Sequence, residues 1–222
     1  MEFNPDRFAG HLQTGTAKAG FPLSREQVEA MTVHARELVL WNRKMNLTAI
    51  KDAVSIAEKH FIDAVLVHPL LGGVSRMMDM GSGGGFPAVP LKVLNPDMAL
   101  TMVDSVRKKV SFLNHVVRTL KLENAVAVHG RVEDLAGDNA HAGQYDAVIS
   151  RGFTRLENFV SLARPMLAPG GSIYALKGEG ARKEILPNLE RDYHIDTTRY
   201  LLPFEGADRY LVKLTPKPFR GR

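Results

Sequence analysis

The stretch Arg76-Met77-Met78-Asp79-Met80-Gly81-Ser82-Gly83-Gly84-Gly85-Phe86 decides the fold. A short apolar run stops at a turn holding four glycines in five residues, and a helical segment follows. Glycine reaches positive φ without a Cβ clash and lets the backbone approach a bound molecule closely. Downstream, short apolar runs at 76–80, 99–103, 125–129, 145–150 and 172–176 alternate with helical patterns at 88–94, 106–120, 155–167 and 181–190. That alternation predicts an α/β protein with a doubly wound parallel sheet. Two last runs, 198–202 and 209–214, are joined by Pro203–Asp208 with no room for a helix, so an antiparallel pair closes one edge and brings the strands to seven. The first turn of such a sheet sits at the switch point where ligands bind.

Three kinds of glycine loop fit that place. A phosphate-cradling loop needs Gly-Lys-Ser/Thr at its end, whereas Phe86-Pro87 follows here. A dinucleotide loop of the form Gly-x-Gly-x-x-Gly would put its third glycine where Phe86 stands. The spacing Asp79-x-Gly81-x-Gly83-x-Gly85 matches instead the first motif of class I, Rossmann-like methyltransferases, whose loop curls round the amino-acid part of S-adenosylmethionine. Asp79 is then placed to meet the cofactor's ammonium. Asp104, before Ser105 at the end of the second strand, is placed to take the ribose hydroxyls, or it caps the next helix. Val132-Glu133 after the third strand passes the adenine, with helix capping as the alternative for Glu133.

Upstream the pattern is helical. Ser24 and Gln27 form a capping box that opens a helix to about Asn42, and a second helical stretch runs from Ser55 to about Leu66. Residues 1–70 are therefore expected as an N-terminal helical cap, with 1–22 a loose lead-in, and 71–222 as the cofactor-binding domain. The chain has 222 residues, enough for one sizeable core. No apolar run nears the ~20 residues of a bilayer span, and the first residues lack a signal-peptide pattern. A cytoplasmic protein without membrane partners is expected, monomeric by default.

Charge and cysteine restrict the chemistry. The net charge of +5 resides wholly in the last fourteen residues, where Arg209, Lys213, Lys217, Arg220 and Arg222 meet no acid. A basic tail suits nucleic acid and is also a common solvated terminus. The chain has no cysteine, so covalent-adduct methylation of a pyrimidine carbon and cysteine-bound metal clusters are impossible. The fourth strand ends in Ser150-Arg151-Gly152-Phe153, not the Asn/Asp-Pro-Pro-aromatic of enzymes that methylate exocyclic amines. A nucleophile needing little activation remains, such as guanine N7, which carries no proton and requires chiefly positioning.

With Trp41-Asn42-Arg43-Lys44-Met45-Asn46-Leu47-Thr48, Lys59-His60-Phe61-Ile62-Asp63, Asp79 to Pro90, Val103-Asp104-Ser105 and Ser150-Arg151, the chain resembles the ribosomal RNA small subunit methyltransferase G family, also called glucose-inhibited division protein B. The resemblance implies methyl transfer from S-adenosylmethionine to N7 of guanine 527 in 16S rRNA, with the rRNA or the small ribosomal subunit as partner. It also implies Gly81, Phe86, Val132, Glu133 and Arg151 as cofactor positions. Two positions depart from the family pattern: Val132 and Gly152 stand where alanine is usual.

Other residues are open from sequence. No acid/base catalyst is expected, since N7 needs none, and no metal ligands. Arg151 is expected to pair with the cofactor carboxylate or an RNA phosphate, because an unpaired guanidinium beside a sulfonium is repulsive. Asn46 either ends its helix or faces the target base. Asp63 is a further candidate without an assigned role, and Lys177 meets RNA phosphate or solvent. His60 is packed, capping or basic, and Trp41 is core or a stacking surface. Two rival functions are a non-catalytic adenosylmethionine-binding RNA assembly factor, and a methyltransferase of a small molecule or protein.

Overall fold

A computed structural model describes residues 3–218. Of the sequence features above, Met1-Glu2 and the tail cations Arg220 and Arg222 lie outside the described residues.

Residues 1–22 contain a helix, α1 (Pro5–Lys18), where the sequence suggests a loose lead-in. Asn4 accepts from the Arg7 amide and Pro5 occupies the first turn, so the start is well capped. Phe8 and Leu12 are fully buried, and Gly15 allows close contact with Ile62 and Phe204. Its two glycines hide the helix from a propensity reading, and tertiary burial overrides them. The Ser24–Gln27 capping box does open α2 (Arg25–Asn42). α3 (Ala53–Ile56), a π-helical turn (Ala57–Ile62) and α4 (Asp63–Leu71) form one continuous helical run.

From Arg76 the expected alternation follows: β1 (Arg76–Met80), α5 (Ala88–Leu94), β2 (Ala99–Asp104), α6 (Arg107–Thr119), β3 (Ala125–His129), α7 (Val132–Leu135), β4 (Tyr145–Arg151), α8 (Leu156–Ala163) and β5 (Leu167–Lys177). The expected 181–190 helix is instead a 3₁₀ turn at Ala181–Glu184 and a short α9 (Pro187–Asp192), because Pro187 lacks an amide to continue the first. β6 (Tyr193–Leu201) and β7 (Asp208–Pro216) pair antiparallel, and β7 also pairs with β5.

The sheet has seven strands in the order β3-β2-β1-β4-β5-β7-β6, with the first five parallel. β1 and β2 are buried almost throughout, as strands covered on both faces must be. Alternation sorts their side chains into two cores. Met77, Met102 and Ile149 face the helices α1 to α6, whereas Met78, Met80, Val103 and Val148 face α7 to α9. The chain runs outward from β1 to β3 on one side and from β4 onward on the other, so the crevice lies above β1 and β4. Asp79 and Arg151, two residues beyond Met77 and Ile149 in their strands, point to the face covered by the N-terminal helices.

Candidate active site

The glycine turn is held to β2 by its backbone. Gly81 and Ser82 amides both donate to the Val103 carbonyl, at 2.9 and 3.1 Å, and the Ser82 hydroxyl donates to the Asp79 carbonyl at 2.9 Å. Gly81, Gly83 and Gly85 have φ of 74°, 55° and 85°, so each alternate glycine occupies the left-handed region. A Cβ on Gly81 would also lie 2.5 Å from the Phe153 ring.

Asp104 completes the turn from the next strand. Its carboxylate accepts from the Gly83 amide at 3.0 Å and the Val106 amide at 2.9 Å. Thus Asp104 does hold the entry to α6, and it ties that entry to the glycine turn as well. Each oxygen retains a second lone pair for a hydroxyl donor. Beyond it, Ser105 is exposed and Val106 offers an apolar side chain that is 43% exposed. After β3 Val132 is buried in the second core, and exposed Glu133 shares a surface depression with Phe153, Thr154 and Asn158.

Asp79 is fully buried, and among the described residues neither carboxylate oxygen has a partner. Burial pushes its carboxyl up to about 8. An orphaned carboxylate beneath a glycine turn is costly unless something cationic reaches it. The residues therefore fit a ligand that brings an ammonium to this point, as the amino-acid end of S-adenosylmethionine does. Gly85 leaves room for Val89 and His34, and Gly81 for the Phe153 ring, so the glycines let the turn pack tightly around this point.

A second network lies on the cap side of Asp79. The Arg151 guanidinium donates to the Lys59 carbonyl at 2.7 Å, to Asp63 Oδ2 at 3.3 Å and to His60 Nδ1 at 2.9 Å. It therefore has a counter-ion within the chain, beside the cofactor carboxylate or RNA phosphate that the sequence suggests for it. The π-helical turn builds this network. Its wider winding frees the Lys59 carbonyl and brings Lys59, His60 and Asp63 towards one point. Asp63 also accepts from the Tyr200 hydroxyl at 2.8 Å and lies 3.8 Å from Arg209, so the hairpin of β6 and β7 joins the site.

His60 is a structural link and not a free base. Its Nε2 meets Thr48 Oγ1 at 2.8 Å, and its ring stacks on Phe86 at 4.6 Å. Burial and the adjacent Arg151 hold it down to about 3. His34 stacks on Phe86 too, at 4.9 Å, and its Nε2 meets the Gly84 carbonyl at 2.9 Å. Phe86, the residue that rules out a dinucleotide loop, is thus packed between imidazoles and supports the turn from below.

Asn46 is exposed, and α2 has already ended at Asn42. Asn42 is the organiser of that loop: its side chain accepts from the Leu47 and Thr48 amides and donates to the Thr48 carbonyl. Trp41 is half-buried against Phe112 and His115. Lys177 is mostly buried. It donates to the Thr154 carbonyl at 3.0 Å and Glu184 Oε2 at 2.9 Å, pinning the loop after β4. The sequence offers Asp63 only as an open candidate and gives no role to Thr48, Ser82 or Ser150, although all four lie inside the stretches that carry the resemblance. Ser150 donates to the Met80 carbonyl at 2.8 Å and so closes the switch point between β1 and β4.

The strand order and the site together define a class I, S-adenosylmethionine-dependent methyltransferase. Solved structures agree on the fold: a precorrin-6y C5,15-methyltransferase from Geobacter metallireducens superposes with a TM-score of 0.56 at 13% identity, covering 78% of this chain and 92% of that one. A SAM-dependent methyltransferase from Aquifex aeolicus gives 0.55 at 14% identity, covering 73% and 93%. Residues 27–205 match the family GidB, described as rRNA small subunit methyltransferase G. A protein of Geotalea uraniireducens named ribosomal RNA small subunit methyltransferase G is 40% identical over 90% of this chain and 93% of its own. The Geobacter metallireducens protein of the same name is 39% identical over 95% and 90%. The chain belongs to the rRNA small subunit methyltransferase G family.

Proposed function

We propose that this enzyme methylates N7 of a guanine in 16S rRNA, guanine 527 by the family resemblance, with the rRNA or the small ribosomal subunit as its substrate. One observation carries the N7 reading. Neither imidazole beside the glycine turn is placed to take a substrate proton: His60 has both ring nitrogens engaged, with Arg151 and Thr48, and His34 donates from Nε2 to the Gly84 carbonyl while its bare Nδ1 is buried without a partner among the described residues. N7 has no proton to give.

S-adenosylmethionine supplies a methyl on a cationic sulfur. The chain's own residues bind and orient. In this reading Asp79 receives the ammonium, Asp104 the ribose hydroxyls, and Val132 and Glu133 the adenine edge. Gly81, Gly83 and Gly85 shape the turn, while Ser105 borders the ribose end. Arg151, paired with Asp63, holds the π-helical turn beside the glycine turn. Asn46 and the neighbouring Arg43 and Lys44 are exposed where a nucleic acid can approach.

The test is labelled methyl transfer onto small subunits, intact and deproteinised, followed by nucleoside analysis. Label in 7-methylguanosine alone is the expected result. Label in any other nucleoside, or only in protein, overturns the reading.

A further inference from the structure

We propose that Phe153 is the platform on which the acceptor purine stacks; this rests on the RNA-guanine reading above. Four observations converge on this ring. Phe153 is 37% exposed although it is a large apolar side chain. It sits at the switch point, directly after β4. Gly152, with φ of 66° and open space where a Cβ would stand, turns the chain back so that the ring lies over Gly81. The ring then has a floor, since its Cδ2 is 2.5 Å from the position a Gly81 Cβ would take.

The ring is also fixed in place. Phe159 meets it edge-on, with centroids 6.5 Å apart and planes at 80°. Its loop is pinned on the other side by Lys177, which donates to the Thr154 carbonyl, and by Glu184, which accepts from both Lys177 and the Leu156 amide. No such effort is needed to keep a merely solvated phenylalanine. An exposed, immobilised aromatic is what base stacking requires, because a flat π-face gains contact with a purine at small cost in conformational freedom. An extruded guanine also loses its stacking neighbours, and Phe153 would replace one of them. Lys177 and Glu184 become positioning residues for this platform.

The experiment compares Phe153→Leu, Phe153→Tyr and Phe153→Trp with the wild type on small subunits that accept the methyl group. Leucine fills comparable space above Gly81 but has no π-face. The expected result is a fall of about tenfold or more in kcat/KM for the subunit in Phe153→Leu. Phe153→Tyr and Phe153→Trp should stay within about threefold of wild type. S-adenosylmethionine Kd, measured by calorimetry, should change by less than about twofold in all three. A loss of cofactor affinity in Phe153→Leu would show that the ring stacks on the cofactor and overturn the proposal. Leucine performing like phenylalanine would overturn it as well. If the wild type places no label in 7-methylguanosine, the functional reading fails and the proposal falls with it. If the wild type does so and Phe153→Leu is unimpaired, only the platform fails.

Discussion

His60 Nδ1 accepts a hydrogen bond from Arg151 Nη2 at 2.9 Å, and this contact fixes the tautomer of the imidazole. A guanidinium has five N–H groups and no lone pair, so Nδ1 must be bare. The single proton is on Nε2 and is donated to Thr48 Oγ1. That hydroxyl also accepts from the Ile50 amide at 3.1 Å. The loop after α2 is thereby connected to the end of β4 through one neutral histidine.

Removing Arg151 should expose that dependence. Arg151→Ala leaves Asp63 with less charge compensation and frees the π-helical turn, at a cost of about 2 kcal/mol in stability for this partly exposed pair. The same variant should lower kcat/KM while keeping both limbs of the activity–pH profile. Loss of a titrating limb would mean that Arg151 or His60 takes part in proton transfer.

Folding stability should fall on mild acidification. Burial holds the His34 imidazole down to about 4, while burial and Arg151 hold His60 to about 3. In the unfolded chain both take up a proton near pH 6.5. The unfolded state therefore binds more protons as the pH drops from 6.5 towards 4, and native stability declines over that window. His34 alone accounts for about 3 kcal/mol of the decline. The Tm of His34→Gln should depend visibly less on pH between 7 and 4.5 than that of the wild type; parallel curves would contradict the assignment.

Asp79 carries the opposite sign. Its carboxyl titrates at about 8 in the folded chain, far above the ordinary carboxylate range. Between those two values the folded form keeps a proton that the unfolded form has lost, so this group weakens the fold as pH rises. Asp79→Asn should raise the ligand-free Tm at pH 8 and weaken S-adenosylmethionine binding at least tenfold. Because the arriving ammonium favours the carboxylate, cofactor binding at pH 7 should release about one proton. Calorimetry in buffers of different ionisation enthalpy reads that proton, and Asp79→Asn should abolish it.

Gly152 has a φ of 66°, which makes glycine the fitting residue there. Gly152→Ala should cost about 1 kcal/mol through backbone strain, since no neighbour lies within 4 Å of the added methyl. A melting curve unchanged by this substitution would show that the turn relaxes freely.

The parallel strands and the glycine turn were legible because they depend on local order: an apolar run, then glycines, then a helix. The helix α1 was not, since Gly10 and Gly15 weaken its propensity and only the burial of Phe8 and Leu12 maintains it. The π-helical turn left no mark either. Ala57–Ile62 reads as ordinary helix, and its winding is visible only where Arg151, 92 residues away, takes the Lys59 carbonyl.

By itself, then, the sequence determined the sheet order's starting point, the cofactor turn from Asp79 to Phe86, and the exclusion of cysteine and Pro-Pro chemistry. These follow from residue type and spacing, which local physics reads directly. The tertiary structure alone decided what answers each ionisable group: Asp63 for Arg151, Glu184 for Lys177, and for the Asp79 carboxyl no partner among the described residues. Asp63 stands 88 residues from Arg151, and Glu184, only seven beyond Lys177, returns to it through a 3₁₀ turn. A buried charge is settled only by whatever group the fold brings within hydrogen-bonding distance.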